Sequence, residues 1–346
     1  IRIGDWSSDV CSSDLKGMSL SKEIGIDLGT ANILIYAKGE GIVVNEPSVV
    51  TINVETNRPV AVGEEAREML GKTPGKLKAI RPLKDGVIAD FQTTEILLTH
   101  FINKLNLKGI FARPTILICC PSNITSIEKS AIQDVALRCG AKKVYIEEEP
   151  KVAAIGAGLD ISKPSGNMVI DIGGGTTDVA VLSLGDIVTS QSLKIAGDKM
   201  DQEIIKYVKD KYKLLIGDAT AEEVKKQIGC AFQPNEETVM DVRGRDLVTG
   251  LPKTIQMNEA ETVSALGEVC ETILIAAKQV LEQTPPELSA DIVNKGIFLT
   301  GGGALLKNLD KFLEQGLKVP VFVADTPLDC VAEGCGVMLE NTTYLQ

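Results

Sequence analysis

IGIDLGTANILIY, residues 24–36, and VIDIGGGTTDVAVL, residues 169–182, follow one pattern that decides the fold. Each stretch is an apolar run, an aspartate, a turn containing glycine and a second apolar run, which is typical of a β-hairpin. A unit that occurs twice indicates two related domains, each opening with a hairpin whose turn faces a shared space. A third stretch, GIFLTGGGALL at residues 296–306, predicts a strand, three glycines and then a helix.

Alternating strand and helix patterns fill the chain between these stretches. TILICCP (115–121) and KVYIEEEP (143–150) predict strands, whereas residues 126–141 and 260–283 predict amphipathic helices. This alternation is typical of α/β domains, and it predicts mixed, largely parallel sheets covered by helices. Two segments, near 53–76 and 200–260, predict small subdomains inserted at the rim.

Length, net charge, cysteine pattern and apolar runs exclude several classes of protein. The chain has 346 residues, more than one core usually organises, and a net charge of −11. This acidic balance argues against nucleic acid as a partner, because binding a phosphate backbone needs clustered lysine and arginine. Eight cysteines without a CxxC motif indicate reduced thiols in a cytosol. No apolar run reaches the roughly 18 residues that a membrane span needs, so the protein is not expected to be integral to a bilayer.

Residues 1–17, IRIGDWSSDVCSSDLKG, differ from the rest of the chain. They show neither helical nor strand periodicity, and they lack the basic start and apolar middle of a signal peptide. The stretch resembles translated sequencing-adapter contamination, and we expect the natural start at Met18. Residues 1–17 are therefore predicted to be unstructured and dispensable.

The two hairpin turns predict a site for ATP with Mg²⁺. Glycine lets backbone N–H groups close around phosphate oxygens without obstruction from a Cβ atom. Hydroxyls of Thr30 and Thr176 add donors, and carboxylates of Asp27 and Asp171 suit a hydrated magnesium ion that bridges the β- and γ-phosphates. One such turn alone is usually structural, but two copies with a later glycine stretch favour the nucleotide site. The turn glycines are Gly29, Gly173, Gly174 and Gly175.

The third glycine stretch is predicted to hold adenosine. Gly301, Gly302 and Gly303 would let the adenine and ribose lie against the backbone, with Ala304 beginning the adjoining helix. The alternative is a tight structural turn before a helix.

These three stretches resemble the two phosphate motifs and the adenosine motif of the actin, sugar-kinase and heat-shock chaperone ATPase superfamily. Further stretches resemble the MreB family, most closely its Mbl branch, from Met18 to the C terminus; they are NEPSVV (45–50), RPLKDGVIADF (81–91), CCPSNIT (119–125), EEEPKVAAIGAG (147–158) and TPPELSADI (284–292). The resemblance implies an α/β, actin-like (ribonuclease H-like) fold with duplicated domains and four subdomains around a nucleotide cleft.

The implied subdomains can be placed along the chain. Subdomain IA would comprise 18–50, 84–163 and 333–346, and subdomain IB would comprise 51–83. Subdomain IIA would comprise 164–199 and 264–332, and subdomain IIB 200–263.

The resemblance also implies roles for single residues. Glu149 would be the catalytic acid that positions the attacking water, acting beside Asp171 and Thr176. An acidic residue here also suits a helix N-terminus for its dipole alone. Thr30, Ala31 and Asn32 would line the phosphate end of the site. Glu222 and Lys225 would approach the ribose and adenine.

The family's members form antiparallel double filaments on the inner leaflet of the cytoplasmic membrane, where they guide peptidoglycan synthesis and maintain rod shape. The resemblance therefore implies a cytoplasmic, membrane-associated ATPase that assembles with itself and works with wall-elongation proteins such as MreC, MreD, RodA and RodZ. Ile110 and Phe111, in LNLKGIFARP (105–114), would dip into the bilayer beside Lys108 and Arg113. Burial of this apolar pair in a core is the alternative.

Two rival functions belong to the same superfamily. A small-molecule kinase needs an acceptor-binding region, and a chaperone needs a peptide-binding domain after the ATPase, whereas about 40 residues follow GGGALL. We therefore expect the filament class. AREMLGKT (66–73) also satisfies a relaxed P-loop pattern, but its GKT follows a predicted helix instead of preceding one, so we interpret it as coincidence.

Overall fold

The computed structural model describes residues 22–341 except 106–112, 123 and 236. Residues 1–17, and with them the expectation about the start of the chain, lie outside the described residues, as do Ile110 and Phe111. In the part that is described, every helix is too short or too polar to cross a membrane.

The first half of the chain builds a large five-stranded sheet, a small three-stranded sheet and a two-stranded sheet formed by β7 and β8. The large sheet has the strand order β10-β9-β1-β2-β3, and the small sheet has the order β5-β4-β6. The elements in chain order are β1 (Glu23–Leu28), β2 (Asn32–Ala37), β3 (Gly41–Pro47), β4 (Val50–Asn53), β5 (Pro59–Val62), α1 (Glu64–Glu68), β6 (Leu77–Ile80), β7 (Leu83–Lys84), β8 (Val87–Ile88), α2 (Phe91–Lys104), β9 (Thr115–Cys120), α3 (Ser126–Arg138), β10 (Lys143–Glu148) and α4 (Glu149–Gly156).

The second half also builds a large five-stranded sheet and a small three-stranded sheet. Its large sheet has the order β13-β12-β11-β17-β18, and its small sheet has the order β14-β15-β16. The elements are β11 (Asn167–Ile172), β12 (Thr177–Ser183), β13 (Asp186–Leu193), α5 (Gly197–Tyr212), β14 (Leu214–Leu215), α6 (Asp218–Ile228), β15 (Val239–Asp246), β16 (Pro252–Asn258), α7 (Glu259–Gln283), α8 (Pro286–Lys295), β17 (Ile297–Thr300), a 3-10 helix (Gly302–Leu305), α9 (Leu309–Leu317), β18 (Val321–Val323) and α10 (Cys330–Glu340).

The repeated hairpin pattern is confirmed as the centre of each large sheet. β1 pairs antiparallel with β2 and parallel with β9, and β11 pairs in the same way with β12 and β17. The prediction of largely parallel sheets was wrong, because each sheet has two antiparallel and two parallel pairings within the described chain. The reason is that each hairpin continues through a short turn into a third antiparallel strand. Only the strands reached through helices run parallel.

Helices α4 and α10 pack against each other and join the two halves. An added Cβ on Gly156 would lie 1.8 Å from the Cys330 carbonyl oxygen, and one on Gly334 would lie 2.0 Å from the Val152 carbonyl oxygen. The two helix backbones therefore touch where both residues lack a side chain. A single buried cluster around them contains Leu117 of the first sheet and residues of the second sheet. This packing fixes one large sheet beside the other.

Two local predictions can be compared with the structure. AREMLGKT does lie at the wrong end of a helix for a P-loop, since α1 ends at Glu68 before the GKT residues. The prediction that a helix adjoins the three glycines is confirmed, but this helix is a 3-10 helix that begins at Gly302 and contains Ala304, and α9 begins only at Leu309. Asn308, with φ of 60°, separates the two helices, so the chain turns before the α-helix starts. The boundaries of the four subdomains stay a prediction.

Candidate functional site

In the first half, acidic side chains lie where parallel strands end. Asp27 is paired with Cys119 of β9 in the parallel register, near the carboxyl ends of both strands. The next strand, β10, ends at Glu148 and passes directly into α4, which starts at Glu149 and has Pro150 in its first turn. Because the carboxyl ends of parallel strands meet at one edge of a sheet, the topology brings Asp27 and Glu149 to the same edge.

In the second half, Asp171 occupies the position equivalent to Asp27. It is opposite Thr300 in the parallel pairing of β11 with β17, and the Thr300 hydroxyl donates to Asp171 Oδ1 at 2.8 Å. Only 6% of Asp171 is exposed. The structure therefore places the two predicted metal-binding aspartates at equivalent points of the two halves.

Asp178 is an acidic residue of this site that the sequence reasoning missed. It is directly opposite Asp171 in the β11–β12 pairing, so both side chains lie on one face of the sheet. The Ser122 amide from the first half donates to Asp178 Oδ1 at 3.1 Å and so bridges the two halves. The available signal was hairpin geometry, because Asp171 is the second-last residue of β11 and Asp178 is the second residue of β12, on either side of one turn.

Burial disfavours the ionisation of all four carboxyl groups, and repulsion between neighbours adds to it at three of them. Loss of contact with water raises the pKa of Asp27 to about 7, with a further contribution from the charge of Asp171. Burial raises the pKa of Asp171 to about 6, although the Thr300 hydroxyl opposes this. Burial likewise raises the pKa of Asp178 to about 7 against the Ser122 amide. Burial, followed by the charges of Asp178, Asp27 and Asp171, raises the pKa of Glu149 well above its usual range.

This cluster suits a hydrated divalent cation. Oxygen ligands are those that Mg²⁺ prefers, and it usually keeps several waters. The buried Ser122 Oγ has no hydrogen-bond partner among the described residues, whereas the Asp178 carboxyl is opposed by the Ser192 hydroxyl on the neighbouring strand. Buried polar atoms in native proteins are rarely left unsatisfied, so water or a hydrated ion is the natural partner here. Among the described residues, no three carboxyl, imidazole or thiol side chains are grouped closely enough to ligate a metal ion directly. A magnesium ion held by Asp27 and Asp171 through water therefore stays a prediction.

For the protein without metal or nucleotide, we expect the free energy of unfolding to fall as pH rises from about 5 to about 8. An unfolded aspartate has a pKa of 3.8, whereas Asp171 titrates at about 6 when folded. In this range the folded state holds protons that the unfolded chain has released, so raising the pH favours unfolding. Between these two pH values, the titration of Asp171 alone corresponds to about 1.4 kcal/mol, since its folded pKa lies about one unit above pH 5. Urea denaturation in EDTA at both pH values measures this, and Asp171→Asn should flatten the dependence. Stability that rises with pH would contradict this account of the cluster.

The two glycine turns touch each other across the cleft. An added Cβ on Gly174 would lie 2.8 Å from the Ala31 Cβ atom, and one on Gly175 would lie 2.6 Å from Thr30 Oγ1. Two hydrogen bonds from Ser48 hold the first turn in place. The Ser48 hydroxyl donates to the Gly29 carbonyl at 2.7 Å, and the Ser48 amide donates to the Ala31 carbonyl at 2.9 Å. The structure thus brings the predicted phosphate-binding residues of both halves together.

The two residues predicted to approach the ribose and adenine, Lys225 and Glu222, make different contacts. Lys225 on α6 donates to the Gly197 carbonyl at 2.9 Å, and Gly197 in turn donates to Gly173, so Lys225 is adjacent to the second turn. Glu222 forms an ion pair with Lys226 at 2.6 Å. A separate surface cavity is lined by Glu46, Val60 and His100, and none of the predicted nucleotide-binding residues lines it.

The third glycine stretch packs against the second hairpin. Gly301 has φ of 77°, and an added Cβ there would lie 2.4 Å from the Ile172 carbonyl oxygen. An added Cβ on Gly303 would lie 2.2 Å from Ile172 Cγ2, whereas on Gly302 the nearest contact is Leu328 at 3.2 Å. Close packing against β11 is thus enough to require glycine at Gly301 and Gly303. Their role toward adenosine stays a prediction.

Comparison with known proteins identifies the family. A family model described as MreB/Mbl protein matches residues 21–346. The chain belongs to the MreB/Mbl family. The cell shape-determining protein Mbl of Bacillus subtilis (strain 168) is 61% identical to this MreB/Mbl family member over 325 residues, covering 94% of this chain and 98% of that protein. The cell shape-determining protein MreB of Escherichia coli (strain K12) is 50% identical over 331 residues, covering 94% and 95%.

Solved structures agree with this assignment. MreB5 of Spiroplasma citri bound to AMPPNP matches the MreB/Mbl chain with a TM-score of 0.90 at 43% identity, covering 93% of this chain and 97% of that chain. A MamK double helical filament matches with a TM-score of 0.79 at 22% identity, which bears on the fold alone. The actin-like fold and the family resemblance predicted from the sequence are therefore confirmed.

Proposed function

We propose that this chain binds ATP with Mg²⁺ between its two halves, hydrolyses it and assembles into filaments. The observation that carries the proposal is the convergence of Asp27, Asp171, Asp178 and Glu149 beside two glycine turns that face each other. A relative with 43% identity has been solved as MreB5 bound to ADP and bound to AMPPNP, which supports a nucleotide in the corresponding cleft.

The residues of the turns would bind the phosphates. Backbone amides of Gly29, Gly174 and Gly175 would donate to phosphate oxygens, and the hydroxyls of Thr30 and Thr176 would add two donors. The Gly173 amide donates to the Thr176 carbonyl at 2.9 Å and so closes the second turn. Asp27 and Asp171 would hold a hydrated Mg²⁺, which when bound neutralises charge on the β- and γ-phosphates. Without this cation the carboxylates would repel a triphosphate.

Glu149 would orient the water that attacks the γ-phosphate. Its carboxyl is 8% exposed, and its position at the start of α4 holds it where the parallel strands end. The carboxylate form accepts a hydrogen bond from the attacking water, while the neutral form does so poorly. Burial, followed by the charges of its neighbours, raises the pKa of Glu149, so cation binding in the cluster would favour the active carboxylate form.

Membership of the family supports filament assembly and a role in cell shape. The relatives named Mbl and MreB are cell shape-determining proteins. We infer that this chain forms antiparallel double filaments at the inner face of the cytoplasmic membrane and there helps to organise peptidoglycan synthesis.

The direct test of this function is sedimentation of the purified protein with ATP and Mg²⁺. We expect the protein to pellet with Mg–ATP and to stay in the supernatant without nucleotide or with EDTA. ATP turnover that requires an added sugar, without pelleting, would overturn the proposal in favour of a small-molecule kinase.

Membrane binding is proposed to use Ile110 and Phe111. These residues lie outside the described residues, but α2 ends at Lys104 and β9 begins at Thr115, so they belong to the connection between these elements. Connections usually run over the surface. Burying two such side chains in a bilayer supplies only about 3–6 kcal/mol, from which the entropy lost on ordering the segment must be subtracted. In a filament each monomer would contribute one such contact, so the binding of the whole filament would be stronger.

We expect Ile110→Ser/Phe111→Ser to reduce co-sedimentation of filaments with anionic liposomes at least about tenfold, because the apolar contact is lost. Pelleting without liposomes should not change. Unaltered liposome binding by a folded, polymerising variant would exclude this patch as the anchor, and an unfolded variant would show that the pair is buried in a core.

A further inference from the structure

The chain between β6 and β8 reaches both glycine turns. We name residues 81–86 the strap. At its C-terminal end, the Gly86 amide donates to Thr30 Oγ1 of the first turn at 3.2 Å. An added Cβ on Gly86, which has φ of 75°, would lie 2.9 Å from Thr176 Cγ2 of the second turn. The Asp85 amide nitrogen lies 2.9 Å from the point where a Cβ on Gly175 would be. The strap therefore contacts both halves of the predicted phosphate site.

At its N-terminal end, the strap makes an ion pair across the cleft. Arg81 lies 3.1 Å from Asp198 Oδ1 in the first turn of α5, and 117 positions of sequence separate the two residues. The Asp198 amide donates to the Gly174 carbonyl at 2.8 Å. Arg81 is thus connected to the second turn through a single residue, while the strap's other end is fixed to the first turn.

We propose that Arg81 is a positioning residue of the nucleotide site: its ion pair with Asp198 keeps the second turn against the first and slows release of bound nucleotide. This inference rests on the proposed function. Arg81 need not touch the nucleotide for this role, because it acts through Asp198 and Gly174. It belongs to the first half of the chain, whereas the turn that it restrains belongs to the second.

The environment of the pair limits the size of the effect. The side chains of Arg81 and Asp198 are 36% and 33% exposed, so water screens their attraction. Burial raises the pKa of Asp198, and the Arg81 guanidinium is the main opposing influence. Partly exposed ion pairs contribute little, so we expect release of nucleotide to become about threefold faster when the pair is broken. High salt should shrink this difference.

The experiment measures release of a fluorescent ATP analogue by stopped-flow chase with excess ATP, on the full chain below its assembly threshold. We expect Arg81→Ala and Asp198→Asn each to release the analogue about threefold faster than the unaltered protein. The double variant should be no faster than either single variant, because both remove the same contact. Arg81→Lys, which keeps the charge, should recover most of the slow release. If Arg81 had a purely structural role, Arg81→Ala would lower the urea midpoint of unfolding, but the release rates of the four variants would not show this pattern.

The matched control is Arg138→Ala. Arg138 pairs with Glu95 at 3.6 Å, and both belong to helices of the first half, so this ion pair does not cross the cleft. Its removal should leave the release rate unchanged. Equal release rates for Arg81→Ala and Arg138→Ala, or additive effects of Arg81→Ala and Asp198→Asn, would overturn the inference while leaving the proposed function standing. Failure of the unaltered protein to bind the analogue would overturn both.

Discussion

Glu149→Ala is expected to slow ATP hydrolysis by about a hundredfold while leaving the affinity for Mg–ATP nearly unchanged. The carboxylate would position the attacking water, and the loss of one positioned catalytic group has about this cost. Phosphate release under single-turnover conditions measures the hydrolysis step, and equilibrium titration with a fluorescent analogue measures affinity. Loss of a buried acid surrounded by three others should also relieve repulsion, so the variant should fold at least as stably.

The adjacent Glu148 provides the matched control. It is the N-cap of α4 and makes no side-chain capping hydrogen bond, so Glu148→Ala should hydrolyse ATP at close to the normal rate. Normal hydrolysis by Glu149→Ala together with slow hydrolysis by Glu148→Ala would transfer the catalytic role to the neighbouring glutamate. Normal hydrolysis by both variants would remove the catalytic assignment from this helix start.

Asp171→Ala is expected to weaken Mg–ATP binding by about ten- to a hundredfold, since one charged hydrogen-bonding group contributes about 1.5–3 kcal/mol. The same substitution should stabilise the metal-free protein at about pH 8, because it removes a buried carboxylate from an acidic cluster. The two effects have opposite signs, and a general folding defect cannot produce both. Titration calorimetry with Mg–ATP and urea denaturation in EDTA measure them.

Asp186→Ala is the control for this prediction. Asp186 begins β13 at the far end of the second hairpin and is exposed, so its loss should change neither affinity nor stability appreciably. Unchanged Mg–ATP affinity of Asp171→Ala would show that the cation is held by other residues of the cluster.

Much of the fold was predictable because its signals are local. Each hairpin combines two apolar strands with a turn aspartate and glycine, so the duplication and the positions of Asp27 and Asp171 could be read directly. Pro150 likewise indicated where α4 begins, although only the family resemblance singled out Glu149. The prediction that failed, the share of parallel strands in each large sheet, depends on pairing between segments that are far apart in the sequence. A run of apolar segments does not show how many strands return through short turns, so the parallel share of each sheet was overestimated.

The missed parts of the site depend on contacts between distant segments. Asp178 begins a buried apolar strand, and only its pairing opposite Asp171 and its bond from Ser122 show that it belongs to the acidic cluster. The Arg81–Asp198 pair joins residues in separate halves. Hairpin geometry could have placed Asp178 opposite Asp171, but no sequence period or spacing reveals its bond from Ser122 or the Arg81–Asp198 pair.

The central claim is that ATP bound between the two halves drives assembly and is hydrolysed there. Simultaneous recording of light scattering and phosphate release after addition of Mg–ATP tests it most directly, with Glu149→Ala measured in parallel. We predict that scattering rises first and phosphate release follows in the unaltered protein, whereas Glu149→Ala assembles with about a hundredfold slower phosphate release. Phosphate release at full rate without any rise in scattering, or assembly that is indifferent to ATP and Mg²⁺, would contradict the account.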